Sequence, residues 1–342
     1  MINIIVDAMG GDKAPEAIID GCIEALGMKD GFNITLVGRN EVIENILSKK
    51  DYNRDRIEIV NASEVIEGDD TPTKAIRGKK DSSMVVGFRL LKEKKGDAFI
   101  SAGNTGALMT GALLLVGRIK GIDRPSLPAL VPSKKDMVLI IDAGMNTVCK
   151  PENYLQFGIM GSIYMKLIYN LETPKIGLLN VGSEDAKGND TLKQAFGLFS
   201  SSSVNFVGNI EGNDIPDGNV DVAVCDGYVG NVALKLYEGA GSFFMKELKK
   251  IFTSNILTKV CYLLIKPFFK DFRNKLDADE LSGAPVLGIN GLVIKSHGSS
   301  NAKTIRTAIL KRAIPLIEYG IVDELKEQFK NMEVKPSDDD ID

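Results

Sequence analysis

Six short segments hold the residues best suited to chemistry. They are VDAMGGDKAP (Val6–Pro15), SAGNTGA (Ser101–Ala107), DAGMNT (Asp142–Thr147), NVGSEDAKG (Asn180–Gly188), CDGYVGN (Cys225–Asn231) and SHGSSN (Ser296–Asn301). The last five combine glycine with asparagine, and most add serine or threonine. Glycine lets the backbone approach a ligand closely. Its amides can then face an oxyanion, and a helix that starts there adds a favourable dipole. Asparagine and serine donate further hydrogen bonds without fixed charge. This set of groups suits phosphate or a polarised carbonyl. One such cluster alone also reads as a turn with a helix cap, but their repetition points to a shared anion or carbonyl site.

Individual candidates follow. Gly10, Gly11, Ser101, Gly103, Asn104, Thr105 and Asn180 are candidate phosphate or acyl-binding residues, and Asp226 joins them at the end of a strand. Asp7 and Asp226 could each cap a helix, orient a partner or repel a wrong anion. Lys187, in the glycine-flanked EDAKGND loop, can reach an anion; the bland alternative is a surface lysine. His297 is the sole histidine and is either a donor in the site or structural. Asn146 and Asn231 complete the set of neutral donors. No GxGxxG follows the first strand, no GxxxxGK[ST] occurs and no GxSxG elbow is present, so the common nucleotide and hydrolase signatures are missing. Cys22, Cys149, Cys225 and Cys261 form no CxxC pair. That spacing argues against a disulfide framework or zinc site and for reduced cytosolic thiols. A covalent intermediate has no evident nucleophile, and neither a metal nor a cofactor is expected.

These segments need a scaffold. Strands are expected near residues 2–6, 34–37, 57–60, 98–101, 138–142, 175–180, 205–207, 220–225 and 292–294. Helices are expected near 15–26, 41–48, 83–94, 105–116, 153–169, 191–198, 231–251 and 302–319. This alternation predicts an α/β protein, and continuous apolar runs such as MVLIID and VDVAVCD predict a largely parallel sheet covered on both faces. In such folds ligands bind beyond the carboxyl ends of the strands, where the six segments fall. The 342 residues, 44% hydrophobic, predict one α/β catalytic domain over 1–331 and a flexible acidic tail over 332–342. A net charge of −4 argues against nucleic acid as a partner. The start carries no secretory pattern, and no apolar stretch approaches the roughly 20 residues of a spanning helix. An intracellular protein is expected.

Residues 246–275 differ from the rest. Eight basic residues face only Glu247 and Asp271, a net +6. Within ILTKVCYLLIKPFFKDF, Lys259, Lys266 and Lys270 share one helix face among aromatic and aliphatic residues, and Pro267 is expected to kink or end the helix. Three uses are open: an amphipathic core helix, a docking surface for an acidic partner, or an interfacial helix on anionic lipid. In the last, Leu264, Phe268 and Phe269 insert while the lysines meet headgroups.

The chain resembles the bacterial phosphate acyltransferases of phospholipid synthesis (the PlsX family). The matching pieces are DAMGGDKAP, KKDSSMVVGFRLLK, ISAGNTGALM, DRPSLPALVP, NYLQFGIMGSIY, PKIGLLNVGSEDAKG, NFVGNIEGNDI, DVAVCDGYVGNVALKLYEG and GAPVLGINGLVIKSHGSS. They run in the family's order over residues 7 to about 300. In DAGMNT the family usually has Gly-Ala-Asn, and Asn146 keeps the asparagine. The resemblance implies attack of inorganic phosphate on a fatty acyl thioester of acyl carrier protein, giving acyl phosphate. It implies a three-layer α/β/α sandwich like the isocitrate and isopropylmalate dehydrogenases, and a homodimer peripheral on the inner face of the cell membrane. The product would feed a membrane glycerol-3-phosphate acyltransferase. Rival readings are an acyl-CoA-dependent phosphate acyltransferase, a dehydrogenase of the related fold and a non-catalytic membrane adaptor. Phosphate as nucleophile fits a chain without a nucleophilic serine or cysteine, and a thiol of pKa about 8.5 leaves readily. What remains is to hold phosphate against the carbonyl and stabilise the oxyanion.

Overall fold

The computed structural model describes residues 1–275 and 282–330, with residues 267–275 described by backbone alone. The acidic tail over 332–342 lies outside the described residues. The strands form two sheets rather than one. The first has the order β10-β11-β4-β1-β2-β3, from β1 (Ile2–Asp7), β2 (Phe32–Gly38), β3 (Ile57–Asn61), β4 (Ala98–Ser101), β10 (Ala284–Pro285) and β11 (Leu292–Lys295). The second has the order β5-β6-β9-β7-β8, from β5 (Ala129–Pro132), β6 (Met137–Ile141), β7 (Ile176–Leu179), β8 (Phe206–Ile210) and β9 (Val222–Val224). Every pairing is parallel except at two edges, β10 with β11 and β5 with β6.

Period-two alternation along each strand explains the layers. Ile4 and Val6 of β1 join Leu139 and Ile141 of β6 and Val222 and Val224 of β9 in a single core. That core includes α1 (Glu16–Met28), α6 (Pro151–Tyr169) and α11 (Ala302–Thr307). The alternate residues face outward. Ile5, Phe99 and Val293 pack on Phe88 of α4 (Ser83–Lys92) and Leu108 of α5 (Thr105–Gly111). Val138, Ile140 and Ala223 pack against Leu234 and Tyr237 of α9 (Gly227–Thr253). Each sheet is therefore the middle of an α/β/α sandwich. A glycine makes one helix seat possible: a Cβ on Gly161 of α6 would stand 2.7 Å from Val222 Cγ1 of β9.

Differences from the sequence reading have simple causes. β5 and β10 were not expected, because each contains proline. Both are edge strands, where a missing amide costs no ladder bond. Pro267 does not end α10 (Ile256–Lys275). Proline removes one amide donor, and the rest of the helix keeps its bonds. α9 and α10 pack on each other, with the rings of Phe252 and Tyr262 5.2 Å apart.

Candidate active site

Three exits from the first sheet meet. Asp7, buried at the end of β1, accepts a bond from Ser101 Oγ at 2.7 Å and one from the Met9 amide at 3.1 Å. Burial pushes its carboxyl up, while bonds from Ser83, Ser101, Met9 and Gly10 hold it back. A Cβ on Gly10 would stand 2.6 Å from Asp7 Oδ2 and 2.8 Å from the Gly103 nitrogen, so only glycine lets these loops touch. The Asp12 amide donates to the Gly298 carbonyl at 2.8 Å and ties in the loop after β11. The polar side chains here are spent on the fold. Asn104 Oδ1 caps α5 at Ala107, and its Nδ2 reaches the carbonyls of Glu67, Gly68 and Asp70. Ser101 Oγ also accepts from the Gly103 amide at 3.1 Å. Thr105 is exposed at the first residue of α5.

The second sheet builds its exits around Asp142. This fully buried carboxylate accepts from the Leu127 amide at 2.9 Å, the Met145 amide at 3.0 Å and the Asn146 amide at 2.6 Å. Burial raises its pKa to about 6 despite those bonds. Asn146 Nδ2 donates to Asp142 and to the Pro125 carbonyl, so this side chain acts as a brace. Asp226 caps α9 through the Val229 amide at 2.9 Å, and its other oxygen accepts from the Tyr154 hydroxyl at 3.2 Å. A Cβ on Gly230 would fall 1.9 Å from the Asp142 carbonyl oxygen. Glycine at 230 thus seats the first turn of α9 on the β6 exit. On the other side of β9, Asn180 Nδ2 bridges the Lys187 carbonyl and Asn209 Oδ1. Lys187 Nζ stands 3.6 Å from Glu184 and is half exposed.

The β11 exit of the first sheet and the β6 and β9 exits of the second meet at a cavity of about 780 Å³ between the β5 and β10 edges, with α9 as one wall. Asn231 and His297 both line it. His297 Nδ1 accepts from the Ser299 amide at 3.2 Å and contacts Ser299 Oγ at 2.8 Å. Among the described residues, no hydrogen bond occupies His297 Nε2 or the Asn231 side chain. The structure therefore brings Asn231 and His297 together. It places Gly10, Gly11, Ser101, Gly103 and Asn104 on the adjoining edge, and Asn146 and Asp226 behind Asn231. Lys187 and Asn180 stand on the β7 exit, outside the cavity lining. Sequence reasoning missed Lys295 and Lys235, which line the cavity. Burial, reinforced by Lys235 and opposed by Glu238, lowers the Lys295 pKa. The signal for Lys235 was its place one helical turn beyond Asn231. Lys295 closes a strand and directly precedes the SHGSSN segment. No group of three or more His, Cys, Asp or Glu residues suited to a metal ion occurs among the described residues.

A family model described as fatty acid synthesis protein matches residues 2–323. A phosphate acyltransferase of Acetivibrio thermocellus is 59% identical over 338 residues, covering 99% of each chain. The chain belongs to the phosphate acyltransferase family. Among solved structures, a phosphotransacetylase from Streptococcus pyogenes superposes with a TM-score of 0.61 at 17% identity, over 93% of this chain and 94% of the other. A putative 4-hydroxythreonine-4-phosphate dehydrogenase from Salmonella typhimurium gives 0.51 at 11% identity, over 92% and 99%. These two likenesses concern the fold, which this family shares with dehydrogenase-like α/β sandwiches.

Proposed function

We propose that this phosphate acyltransferase takes a fatty acyl group from the thioester of acyl carrier protein and gives it to inorganic phosphate. A phosphate oxygen bonds to the carbonyl carbon, the carbon–sulfur bond breaks, and the departing sulfur takes up a proton as free carrier thiol. The products are acyl phosphate and the thiol. The observation that carries this reading is the pairing of Asn231 and His297, each with an unspent nitrogen, in one cavity. As the tetrahedral oxyanion forms, the Asn231 amide donates to it, and His297 Nε2 serves the oxyanion or the leaving sulfur. Such donors are most effective when already fixed in place. The backbone of Gly10–Gly11 and Ser101–Thr105 faces the phosphate in this reading, whereas Lys187 and Asn180, on the β7 exit outside the cavity lining, are given no part in it. Asn146 acts through Asp142, by fixing the loop that seats α9.

Cys149 and Cys225, the cysteines nearest the second sheet's exits, fit a reaction without a protein nucleophile. Burial and the nearby Asp142 and Asp226 carboxylates push Cys149 up to about 12 and raise Cys225 well above a free thiol. A protonated thiol is a poor nucleophile.

The basic hairpin supports a peripheral role on an anionic membrane, where a membrane glycerol-3-phosphate acyltransferase would use the product. Leu257 is 72% exposed and Leu264 71%, and Lys259 and Lys266 of the same helix are exposed. Exposed apolar residues edged by lysine suit a headgroup boundary. No described helix is long and apolar enough to cross a membrane. The side chains of Phe268, Phe269 and Lys270 lie outside the described ones. The proposed working unit is a homodimer.

The test mixes the protein with acyl carrier protein thioester and phosphate, then traps acyl phosphate with hydroxylamine. Phosphate-dependent hydroxamate is expected, and its absence overturns the reading. Repeating the assay with acyl-CoA identifies the preferred carrier.

A further inference from the structure

The cavity beside Asn231 has a floor that the transfer step does not use. Leu127, Leu130, Val131 and Pro132 line it and are buried, as is Pro285 on the opposite edge. The charged lining residues of α9, Lys235 and Glu238, are exposed and stand at the rim. The buried polar lining residues are already bonded. Ser300 Oγ donates to the His297 carbonyl at 2.5 Å, Thr304 Oγ1 donates to Asn301 Oδ1 at 3.1 Å, and an Arg312 guanidinium nitrogen donates to the Lys311 carbonyl at 3.1 Å. A hydrocarbon chain laid along these apolar residues gains by burial. The volume of about 780 Å³ is that of a small-molecule site.

The α9 wall has a notch. From Asn231 to Met245, both lining residues, the helix spans about 21 Å at ~1.5 Å per residue. Gly241 lies near the far end of that stretch and also lines the cavity. A Cβ there would meet no atom within 4 Å, so the space beyond it is open. Gly239 on the same helix is equally unobstructed but is not part of the lining.

We propose that this cavity takes the acyl chain of the donor, with the thioester carbonyl at Asn231 and His297, and that Gly241 leaves the room needed for the far end of a long chain. The inference rests on the acyl-transfer reading given above. The experiment compares Gly241→Leu and Gly239→Leu with the wild type on carrier thioesters from short to long saturated chains, reading kcat/KM from trapped hydroxamate. Gly241→Leu is expected to lose about fourfold in kcat/KM for each methylene that no longer fits, with the shortest donors unchanged. Gly239→Leu is expected to keep the wild-type length profile. An unchanged profile in Gly241→Leu, or the same change in Gly239→Leu, overturns the assignment. If Gly241→Leu melts below the wild type, Gly241→Ala should show a smaller shift in the same direction, and a flat profile there also overturns it. Wild-type enzyme without phosphate-dependent hydroxamate on any donor would instead overturn the activity beneath it.

Discussion

The two ends of α9 follow different rules. At its start, Gly227 and Gly230 are buried, Asp226 caps the helix, and Gly230 sits against the Asp142 carbonyl with no room for a methyl group. Beyond its middle, Phe243, Phe244 and Ile251 are each more than half exposed, and the packed partner is α10. The first end is fixed by backbone contact and presents one uncommitted amide, that of Asn231. The second presents an apolar and basic surface. One helix thus links a rigid catalytic corner to an open face, and the two should fail independently.

Gly230→Ala should have the largest effect. Its methyl would overlap the Asp142 carbonyl, so a loss of about 3 kcal/mol or more in stability is expected, seen as a lower Tm. A wild-type Tm would show that the start of α9 is not held as described. Asn231→Ala should leave Tm and vesicle binding alone while kcat falls roughly 100-fold, about 3 kcal/mol of barrier. Undiminished turnover would remove Asn231 from the oxyanion site.

Asp142 tests the corner through pH. Its folded pKa of about 6 lies above the ordinary 3.8, so the folded chain holds this proton more tightly than the unfolded chain. The resulting stability is fully present below pH 3.8 and is lost as pH rises through about 6, a change on the order of 2–3 kcal/mol. The stability advantage of the wild type over Asp142→Asn should shrink across that window in denaturant titrations. A constant difference would show that the carboxyl is not shifted.

The smallest effect on catalysis is expected at the other end. Leu257→Glu/Leu264→Glu should abolish flotation with anionic vesicles, shift stability by no more than about 0.5 kcal/mol and leave turnover of a soluble donor intact. Equal flotation of variant and wild type would take the hairpin off the membrane. A large loss of turnover would mean that the two ends of α9 are coupled.

The sequence by itself determined the alternation of strands and helices, the family, and the polar exits where ligands bind. These are local or additive properties: apolar periodicity, glycine at close turns, and the order of motifs along one chain. It also marked residues 246–275, because charge and apolar content can be counted without coordinates. Tertiary structure decided the rest. Strand pairing split the strands into two sheets, since hydrogen-bond partners lie far apart in sequence. Packing then sorted the polar residues. Asn104 and Asn146 have the same side chain as Asn231, but theirs is consumed by neighbouring carbonyls and amides, whereas Asn231 remains available beside His297. Lys295 became visible only when folding set it near Lys235 in a shared cavity. Which donors are spent depends on distances between loops up to tens of residues apart, and only the folded chain fixes those distances.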